Sequence, residues 1–228
     1  MKIPERAIVN VSVCGIFAQP TFKSEMVNQA LIKEKVTIID KKDNWYKAYL
    51  NHDKYEGWIH EMYLDISNKN NQDLIDETYY IERFSKIPIL DEAFKLLGKP
   101  YLWGGRSFQG YDCSGLVQAC ASLIGFNLPR DAKDQVKSDL LLEVEIKNIC
   151  SGDLLFFEEN NFVNHVAIGI NSFKNLNSKL IYSGEIIHSS GTVKISKIEF
   201  DSQLYGVVDN NHENKIKLHK IMRFKDGS

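Results

Sequence analysis

One cysteine of the chain lies where a nucleophile could be made. Cys113 follows the glycine-rich aromatic segment Tyr101–Gly105 and stands at the predicted start of a helix. A thiol there lies near the positive end of the helix dipole and near free N–H groups, which favour the thiolate. We therefore predict that Cys113 is a reactive cysteine. Cys120, one heptad further along among apolar residues, is predicted to pack in the core.

A nucleophilic thiol needs a base that accepts its proton, and that base needs a partner that orients it. His165 begins an apolar run that ends at Ile170, and His188 ends the run that begins at Ile186, so both are predicted to lie on core strands. A surface position is expected for the remaining histidines, which lie among charged and turn residues: His52, His60, His212 and His219. From the residues alone, packing without catalysis stays an open alternative for His165 and His188.

The elements that must position these side chains fall into two groups. Up to about Ile66, short alternating runs separated by turn-forming residues predict a small all-β barrel. Its predicted strands are Val9–Val13, Lys35–Ile39, Trp45–Leu50 and Gly57–His60. The polar stretch Ser67–Asp73 then predicts a domain boundary. The predicted organisation is a barrel at residues 1–66, a linker and lead-in at residues 67–88, and a second domain at residues 89–228.

The second domain begins with a helical pattern and continues with strands. Apolar residues spaced three and four apart predict a helix over Leu90–Leu97, ended by Gly98, and another over Cys113–Ile124. The predicted strands are Asp153–Phe157, Val163–Ile170, Leu180–His188, Thr192–Ile195 and Lys220–Phe224. Helices before strands predict an α+β domain in which helices pack on one antiparallel sheet.

Composition excludes several classes of function. The chain has 228 residues with 28 basic and 30 acidic side chains, so nucleic-acid binding driven by phosphate charge is not expected. No apolar run approaches the roughly 18–20 residues of a membrane span. Pro4, Glu5 and Arg6 lie where a secretory signal would be apolar, so a cytoplasmic location is expected. The four cysteines show no metal-binding spacing with the histidines, so we expect no metal, cofactor or disulfide.

Five ordered blocks make the second domain similar to the NlpC family of papain-like bacterial cell-wall cysteine peptidases. They are Tyr101–Gly105, Asp112–Val117, Leu128–Asp131, Gly152–Phe157 and Asn164–Ile168. Two blocks of the first domain, Trp45-Tyr46 and Tyr55–Ile59, resemble a bacterial Src-homology-3-type barrel. The fold that this resemblance implies is a small barrel followed by a papain-like domain.

The resemblance implies a triad in which Cys113 attacks, His165 is the general base and His188 orients its imidazole. It also implies that Tyr101 and the backbone N–H of Cys113 stabilise the oxyanion. Family members that join such a barrel to the peptidase domain cleave the γ-D-glutamyl bond to a diamino acid in murein peptides with a free N-terminal L-alanine. Murein-derived peptides are therefore the expected partners, a monomer is the expected state, and cell-wall recycling is the expected role.

The substrate contacts that the resemblance implies come from both domains. They are Tyr55 and Glu25 from the barrel, with Asp112, Ser114, Arg130 and Asp131 from the peptidase domain. Carboxylates and a tyrosine hydroxyl suit a free α-amino group, because an unpaired ammonium is costly to desolvate. Two simpler interpretations stay open: Tyr55 as a turn aromatic, and Arg130 with Asp131 as caps of a helix that begins near Ala132.

The sequence departs from the family pattern in two places. Ala132 stands where many members have a serine, and the stretch Asn171–Lys179 is longer than usual, as expected of a surface hairpin loop. Two other functions stay open at this point: an amidase or acyltransferase acting on a non-murein substrate, and an inactive murein-binding protein. The diamino acid is open between diaminopimelate and lysine.

Overall fold

The computed structural model describes residues 6–66, 89–171, 173–175, 182–209 and 215–225. The predicted linker and lead-in at residues 67–88 lies outside the described residues. So does most of the predicted loop Asn171–Lys179, together with the first two residues of the predicted strand Leu180–His188. None of the helices in the described ranges is long and apolar enough to cross a membrane.

The first domain is a sheet-rich half that wraps around its own apolar core. Its strands are β1 (Arg6–Val9), β2 (Val13–Phe17), β3 (Met26–Leu31), β4 (Lys35–Lys42), β5 (Trp45–Leu50), β6 (Glu56–His60) and β7 (Leu64–Asp65). They pair antiparallel in the order β3-β2-β6-β5-β4-β1-β7. Alternate residues face inward, so Ile16, Val36 and Leu50 are fully buried. The small β architecture predicted for this half is confirmed.

Two details of the first domain differ from the prediction. The run Val9–Val13 is not one strand, because the chain bends between β1 and β2, where Asn10 N–H bonds to Tyr63 O and Ser12 O accepts from Ile32 N–H. Alternation alone did not reveal this reversal. Strand β3 was missed because it contains the polar residues Asn28 and Gln29, which are nevertheless buried.

In its described residues, the second domain places three helices beside one large antiparallel sheet. The helices are α1 (Ile89–Phe94), α2 (Cys113–Leu123) and α3 (Ala132–Gln135). A two-stranded ribbon between α1 and α2 consists of β8 (Arg106–Ser107) and β9 (Gly110–Tyr111). The first helix ends earlier than predicted, because the chain turns after Phe94 and Gly98 N–H bonds to Val193 O. Helix α2 was predicted to within one residue.

The large sheet follows α3 in the chain. Its strands are β10 (Leu141–Val144), β11 (Leu154–Glu159), β12 (Phe162–Gly169), β13 (Lys174–Asn175), β14 (Tyr182–Ser190), β15 (Thr192–Phe200), β16 (Tyr205–Val208) and β17 (Lys215–Phe224). The order is β10-β17-β11-β12-β14-β15-β16, β13 pairs with β14, and β16 also pairs with β17. This second pairing curls the sheet around a core of its own.

Strand β11 shows how the sheet separates two apolar cores. Leu154 and Phe156 pack towards the helices, whereas Leu155 and Phe157 point into the curled side of the sheet beside Phe200. All four are at most 1% exposed. Helices therefore cover one face of an antiparallel sheet, and the predicted α+β class is confirmed.

Polar side chains join the barrel to the second domain. Arg106 on β8 donates to both carboxylate oxygens of Glu34 at 2.7 and 2.6 Å and to the Gln29 carbonyl at 2.9 Å. Gln118 on α2 donates to Asp53 of the barrel at 3.0 Å. These contacts bring the loop before β6, which carries Tyr55, to the start of α2.

Candidate active site

Cys113 is the first residue of α2, and its thiol lies against strand β12. The helix is capped by Asp112, whose Oδ1 accepts from Gly115 N–H at 2.7 Å. The Sγ atom is 3.9 Å from Asn164 O, and the N–H of Val166 also faces it. These two backbone groups flank His165, so the thiol lies beside the residue that was predicted to be its base.

Burial decides the resting charge of this thiol. It raises the pKa of Cys113 to about 11, and the nearby Asp112 carboxylate adds to the rise, whereas the N–H groups of Val166 and Ser114 oppose it. The N–H of Ser114 at the helix start does lower the pKa of the thiol, as expected, but burial outweighs it, so the expected thiolate is not the resting form. The cost of desolvating the charged sulfur exceeds the stabilisation that these N–H groups provide.

The two strand histidines are in direct contact. His165 Nε2 and His188 Nδ1 lie 2.9 Å apart, with their rings nearly perpendicular at 79°. Burial lowers the pKa of His165 to about 4 and that of His188 to about 3, so both imidazoles are neutral near pH 7. The contact occupies Nε2 of His165, and no described residue hydrogen-bonds to its Nδ1.

Two residues that the sequence analysis missed continue this line of side chains. His188 Nε2 lies 3.0 Å from Ser196 Oγ, and Ser196 donates to Asp209 Oδ2 at 2.8 Å. Ser196 is fully buried on β15, although a serine in an alternating strand reads as a solvent-facing residue. Asp209 follows β16 in a polar turn, and nothing in its sequence context signals the contact.

Tyr101 lies close to the thiol and is held as a neutral phenol. Burial raises the pKa of Tyr101 to about 12, with smaller contributions from Cys113 and Asp112. Its backbone is fixed by a 2.9 Å hydrogen bond from its N–H to Gly191 O. A protonated phenol can donate a hydrogen bond, and the first turn of α2 leaves backbone N–H groups without helical acceptors. The predicted oxyanion donors are therefore on the same side as Cys113.

Asp112, Ser114 and Arg130 form a buried cluster beneath the start of α2. Arg130, 2% exposed, donates to both oxygens of Asp112 at 2.9 and 2.6 Å, to Ser114 Oγ at 3.0 Å, and through Nε to Asn28 of the barrel at 2.9 Å. Every guanidinium nitrogen thus has a protein acceptor. The geometry gives these residues a role in holding the helix start and the barrel together, and their contact with a substrate stays a prediction.

Tyr55 and Asp131 lie beside this cluster and are less buried. Burial, followed by the charge of Asp131, raises the pKa of Tyr55 to about 12. Burial also raises the pKa of Asp131, against the opposing charges of Lys133 and Arg130. Asp131 is the N-cap residue of α3, but its side chain makes no capping hydrogen bond, so the carboxylate is not used as a helix cap.

Glu25 occupies a different part of the barrel surface. It is exposed and accepts from Trp103 Nε1–H at 2.6 Å, which links the barrel to the segment Tyr101–Gly105. In the part of the chain that the structure describes, Glu25 forms no hydrogen bond or ion pair with Tyr55 or Asp131. The structure brings Tyr55, Asp112, Ser114, Arg130 and Asp131 together, and Glu25 meets Trp103 instead.

The other cysteines do not contribute to this site. Cys120 is fully buried among apolar residues, which confirms its predicted place in the core, and burial raises its pKa to about 12. Cys14 is buried in the barrel, and Cys150 is exposed. Within the described ranges, no group of three or more histidine, cysteine, aspartate or glutamate side chains could hold a metal ion.

Comparisons with known proteins match both halves of the chain. The NlpC/P60 family matches residues 98–207, and the bacterial dipeptidyl-peptidase Sh3 domain matches residues 16–64. A gamma-D-glutamyl-L-lysine dipeptidyl-peptidase of Bacillus subtilis (strain 168) is 41% identical over 93 residues, which cover 40% of this chain and 31% of that protein. A protein of the same name from Bacillus cereus (strain ATCC 10987 / NRS 248) is 24% identical, with 66% of each chain covered.

These alignments cover only part of the curated relatives, namely 31% and 66% of the two proteins just described. Among solved structures, an NlpC/P60 family protein from Bacillus cereus ATCC 10987 superposes with a TM-score of 0.69 at 19% identity, over 96% of this chain and 99% of that one. At this identity the superposition shows that the two chains share a fold.

Proposed function

Residues 98–207 belong to the NlpC/P60 family of cysteine peptidases and follow a bacterial dipeptidyl-peptidase Sh3 domain, and from this premise we propose that the chain is a cysteine endopeptidase of peptidoglycan peptides. One observation carries the proposal. The thiol of Cys113 lies against the backbone on both sides of His165, whose ring is oriented by the 2.9 Å contact with His188. The proposed nucleophile Cys113, the base His165 and the orienting residue His188 are thus neighbours in space, in that order.

The proposed reaction has two halves, acylation of Cys113 and hydrolysis of the resulting thioester. His165 Nδ1 accepts the thiol proton as Cys113 Sγ attacks the scissile carbonyl, and His188 stabilises the resulting imidazolium through its contact with Nε2. Tyr101 O–H and the Cys113 N–H donate to the oxyanion. The amine leaves with the proton from His165. A water molecule, deprotonated by the same imidazole, then attacks the thioester carbonyl, the C–S bond breaks, and the sulfur of Cys113 takes the proton back from His165.

A neutral resting pair is compatible with this chemistry. Because burial raises the pKa of Cys113 to about 11 and lowers that of His165 to about 4, the site holds thiol and imidazole rather than thiolate and imidazolium. Proton transfer must then accompany attack, as in general-base catalysis by a serine hydrolase. The ion pair forms only when the substrate carbonyl receives the sulfur, and the oxyanion donors stabilise the charge that develops.

We further propose that the scissile bond is the γ-D-glutamyl bond to a diamino acid, in peptides with a free N-terminal L-alanine. The name of the two Bacillus relatives supports the bond, and the neighbouring Tyr55 and Asp131 support recognition of an ammonium group. A carboxylate whose pKa is raised by burial and whose capping function is unused gains from a cationic partner.

A matched pair of substrates tests this finer proposal. L-Ala-γ-D-Glu-meso-diaminopimelate is compared with its N-acetylated form, and the lysine-containing peptide is compared in the same way. We expect kcat/KM to fall by about a hundredfold or more on acetylation, because the amide cannot replace an ammonium beside Asp131. Equal cleavage of free and acetylated peptides would overturn the amine pocket, and the better of the two free peptides identifies the diamino acid.

A requirement for a free L-alanine amine would fit a recycling role. In the intact wall that amine is bonded to the glycan, so the pocket would select peptides that have already been released. We therefore propose that the chain takes part in the recycling of murein peptides in the cytoplasm. Fractionation of cells that produce the tagged chain tests it: enzyme in the soluble cytoplasmic fraction supports this location, and enzyme in the wall fraction contradicts it.

A further inference from the structure

Behind the two histidines, a line of hydrogen bonds extends to the surface of the second domain. Its four side chains come from three strands and the turn after β16. His165 Nε2 contacts His188 Nδ1 at 2.9 Å, His188 Nε2 contacts Ser196 Oγ at 3.0 Å, and Ser196 Oγ contacts Asp209 Oδ2 at 2.8 Å. We call this set of four residues the relay. Ser196 is 1% exposed, so its hydroxyl depends on these partners.

Asp209 sets the direction of every hydrogen bond in the relay. It is exposed and lines an open cavity of about 470 Å³, and its Oδ1 accepts from Lys197 N–H at 2.9 Å. A carboxylate oxygen accepts hydrogen bonds, so Ser196 donates its proton to Asp209 Oδ2. The serine oxygen is then left as an acceptor for His188.

The same logic fixes the tautomers of both histidines. Since Ser196 accepts, His188 must be protonated at Nε2, and its Nδ1 is therefore bare. A bare Nδ1 accepts, so His165 donates from Nε2–H, and its own Nδ1 carries no proton. The nitrogen left bare is the one that the proposed mechanism uses to take the proton of Cys113.

Without the Asp209 carboxylate, the hydrogen bonds of the relay could all run in the opposite direction. A serine hydroxyl can also donate to His188 Nε2, which would place the proton of that imidazole on Nδ1. His188 would then donate to His165 Nε2 and leave His165 with a proton on Nδ1, where no base remains. Among the described residues, Lys194 also lies beside His188; its charge lowers the pKa of that imidazole and does not select between its neutral tautomers.

We propose that Ser196 and Asp209 are positioning residues that lock His188 and His165 in the tautomers required for general-base catalysis. The inference rests on the proposed peptidase function for its kinetic consequence, but the tautomers themselves do not depend on any substrate. The relay would thus continue the predicted Cys113–His165–His188 triad by two residues that contact neither thiol nor substrate.

Asp209→Asn is the most informative variant, because it preserves the turn while reversing the direction of the hydrogen bond with Ser196. Asp209 has φ 49°, a left-handed conformation that asparagine tolerates, and its Oδ1 accepts from Lys197 N–H at 2.9 Å. With the amide oxygen retained there, the amide nitrogen replaces Oδ2 and donates to Ser196. The serine must then donate to His188. Asp201→Asn is the matched control, since Asp201 accepts from Gln203 and Tyr205 N–H in the turn before β16 and forms no hydrogen bond with the relay.

The first readout is the ¹⁵N chemical shift of the imidazole nitrogens at pH 7.5. The signals are assigned with variants in which one histidine at a time is replaced. We expect bare Nδ1 and protonated Nε2 on both histidines in the unaltered protein and in Asp201→Asn, and the reverse in Asp209→Asn. The second is the iodoacetamide alkylation rate of Cys113, followed by peptide mass spectrometry. It should fall about tenfold or more in Asp209→Asn, while the exposed Cys150 in the same sample reacts at an unchanged rate.

The kinetic readout uses the murein peptide. We expect Asp209→Asn and Ser196→Ala to lower kcat by about tenfold to a hundredfold with KM changed less than twofold, and Asp201→Asn to leave both unchanged. Unaltered tautomers and alkylation rate in Asp209→Asn would overturn the inference. If the tautomers reverse but no murein peptide is cleaved by the unaltered protein, the relay is supported and the proposed function is overturned.

Discussion

Arg130 and Asp112 form a buried, two-pronged ion pair, with N···O distances of 2.9 and 2.6 Å, directly beneath the helix that begins with Cys113. Asp112 also caps that helix and accepts from Gly104 N–H at 2.9 Å, while Arg130 reaches Asn28 in the barrel. The position of the nucleophile thus depends on a pair of opposite charges that are largely shielded from solvent.

Removing the arginine should therefore unfold the site rather than merely weaken it. Arg130→Ala leaves Asp112 buried and unpaired, and we expect the free energy of unfolding in urea to fall by about 3–5 kcal/mol. Lys133→Ala, which removes an exposed cation from the same region, should change it by less than about 0.5 kcal/mol. Equal, small effects of the two substitutions would show that the ion pair does not hold the helix start.

Two glycines with the same backbone angle allow the barrel contact to be tested. Gly104 and Gly191 both have φ 73°, so alanine costs each of them about 1–2 kcal/mol of backbone strain. A Cβ at Gly104 would also lie 2.5 Å from the Met26 carbonyl of the barrel, whereas one at Gly191 meets nothing within 4 Å. We expect Gly104→Ala to lower the melting temperature clearly more than Gly191→Ala. A smaller effect at Gly104 would contradict the close approach of the two domains.

The pKa values of the two strand histidines predict how stability depends on pH. Burial lowers the pKa of His165 to about 4 and of His188 to about 3, against about 6.5 in an unfolded chain. The unfolded state therefore binds protons first, so their contribution is complete above pH 6.5 and is lost as the pH falls towards 4 and then 3. We expect the free energy of unfolding to drop steeply over this window.

A histidine replacement separates this effect from general acid denaturation. In His188→Asn the slope between pH 6.5 and 4 should become shallower, because one depressed group no longer titrates. The free energy of unfolding is measured by urea titration at each pH. Identical slopes in His188→Asn and in the unaltered protein would show that the imidazole of His188 does not contribute to acid stability.

The two tyrosines of the site should affect different kinetic constants. Tyr101→Phe removes a proposed oxyanion donor, so kcat should fall by about a hundredfold with little change in KM. Tyr55→Phe removes a hydroxyl near Asp131, where the substrate amine is proposed to bind, and should raise KM with a smaller effect on kcat. Steady-state kinetics on the free murein peptide measures both constants. A change in KM alone for Tyr101→Phe, or in kcat alone for Tyr55→Phe, would contradict the proposed roles.

The sequence predicts mainly local structure, namely individual helices and strands. The start of helix α2 at Cys113 and strand β5 at Trp45–Leu50 were predicted from periodicity, because the residues that form them are close in the chain. The proximity of Cys113 and His165, 52 positions apart, followed only from resemblance to a family. Without it, the histidine was equally compatible with a packed core position.

Long-range polar contacts were the part that local patterns could not reveal. Asn28 interrupts the apolar alternation of β3 because its oxygen accepts from Arg130, which is 102 positions away. Ser196 looks like a solvent-facing residue until β14 and β16 place His188 and Asp209 on either side of it. The resting charge of Cys113 is another example, since its position at a helix start does not reveal the burial that raises its pKa.

The most direct test of the account is the hydrolysis of L-Ala-γ-D-Glu-meso-diaminopimelate by the unaltered protein and by Cys113→Ala, with products identified by mass spectrometry. We expect L-Ala-D-Glu and free diaminopimelate from the unaltered protein, and a loss of at least about a thousandfold in kcat on removal of the thiol. Release of the same products by Cys113→Ala at the unaltered rate would contradict it.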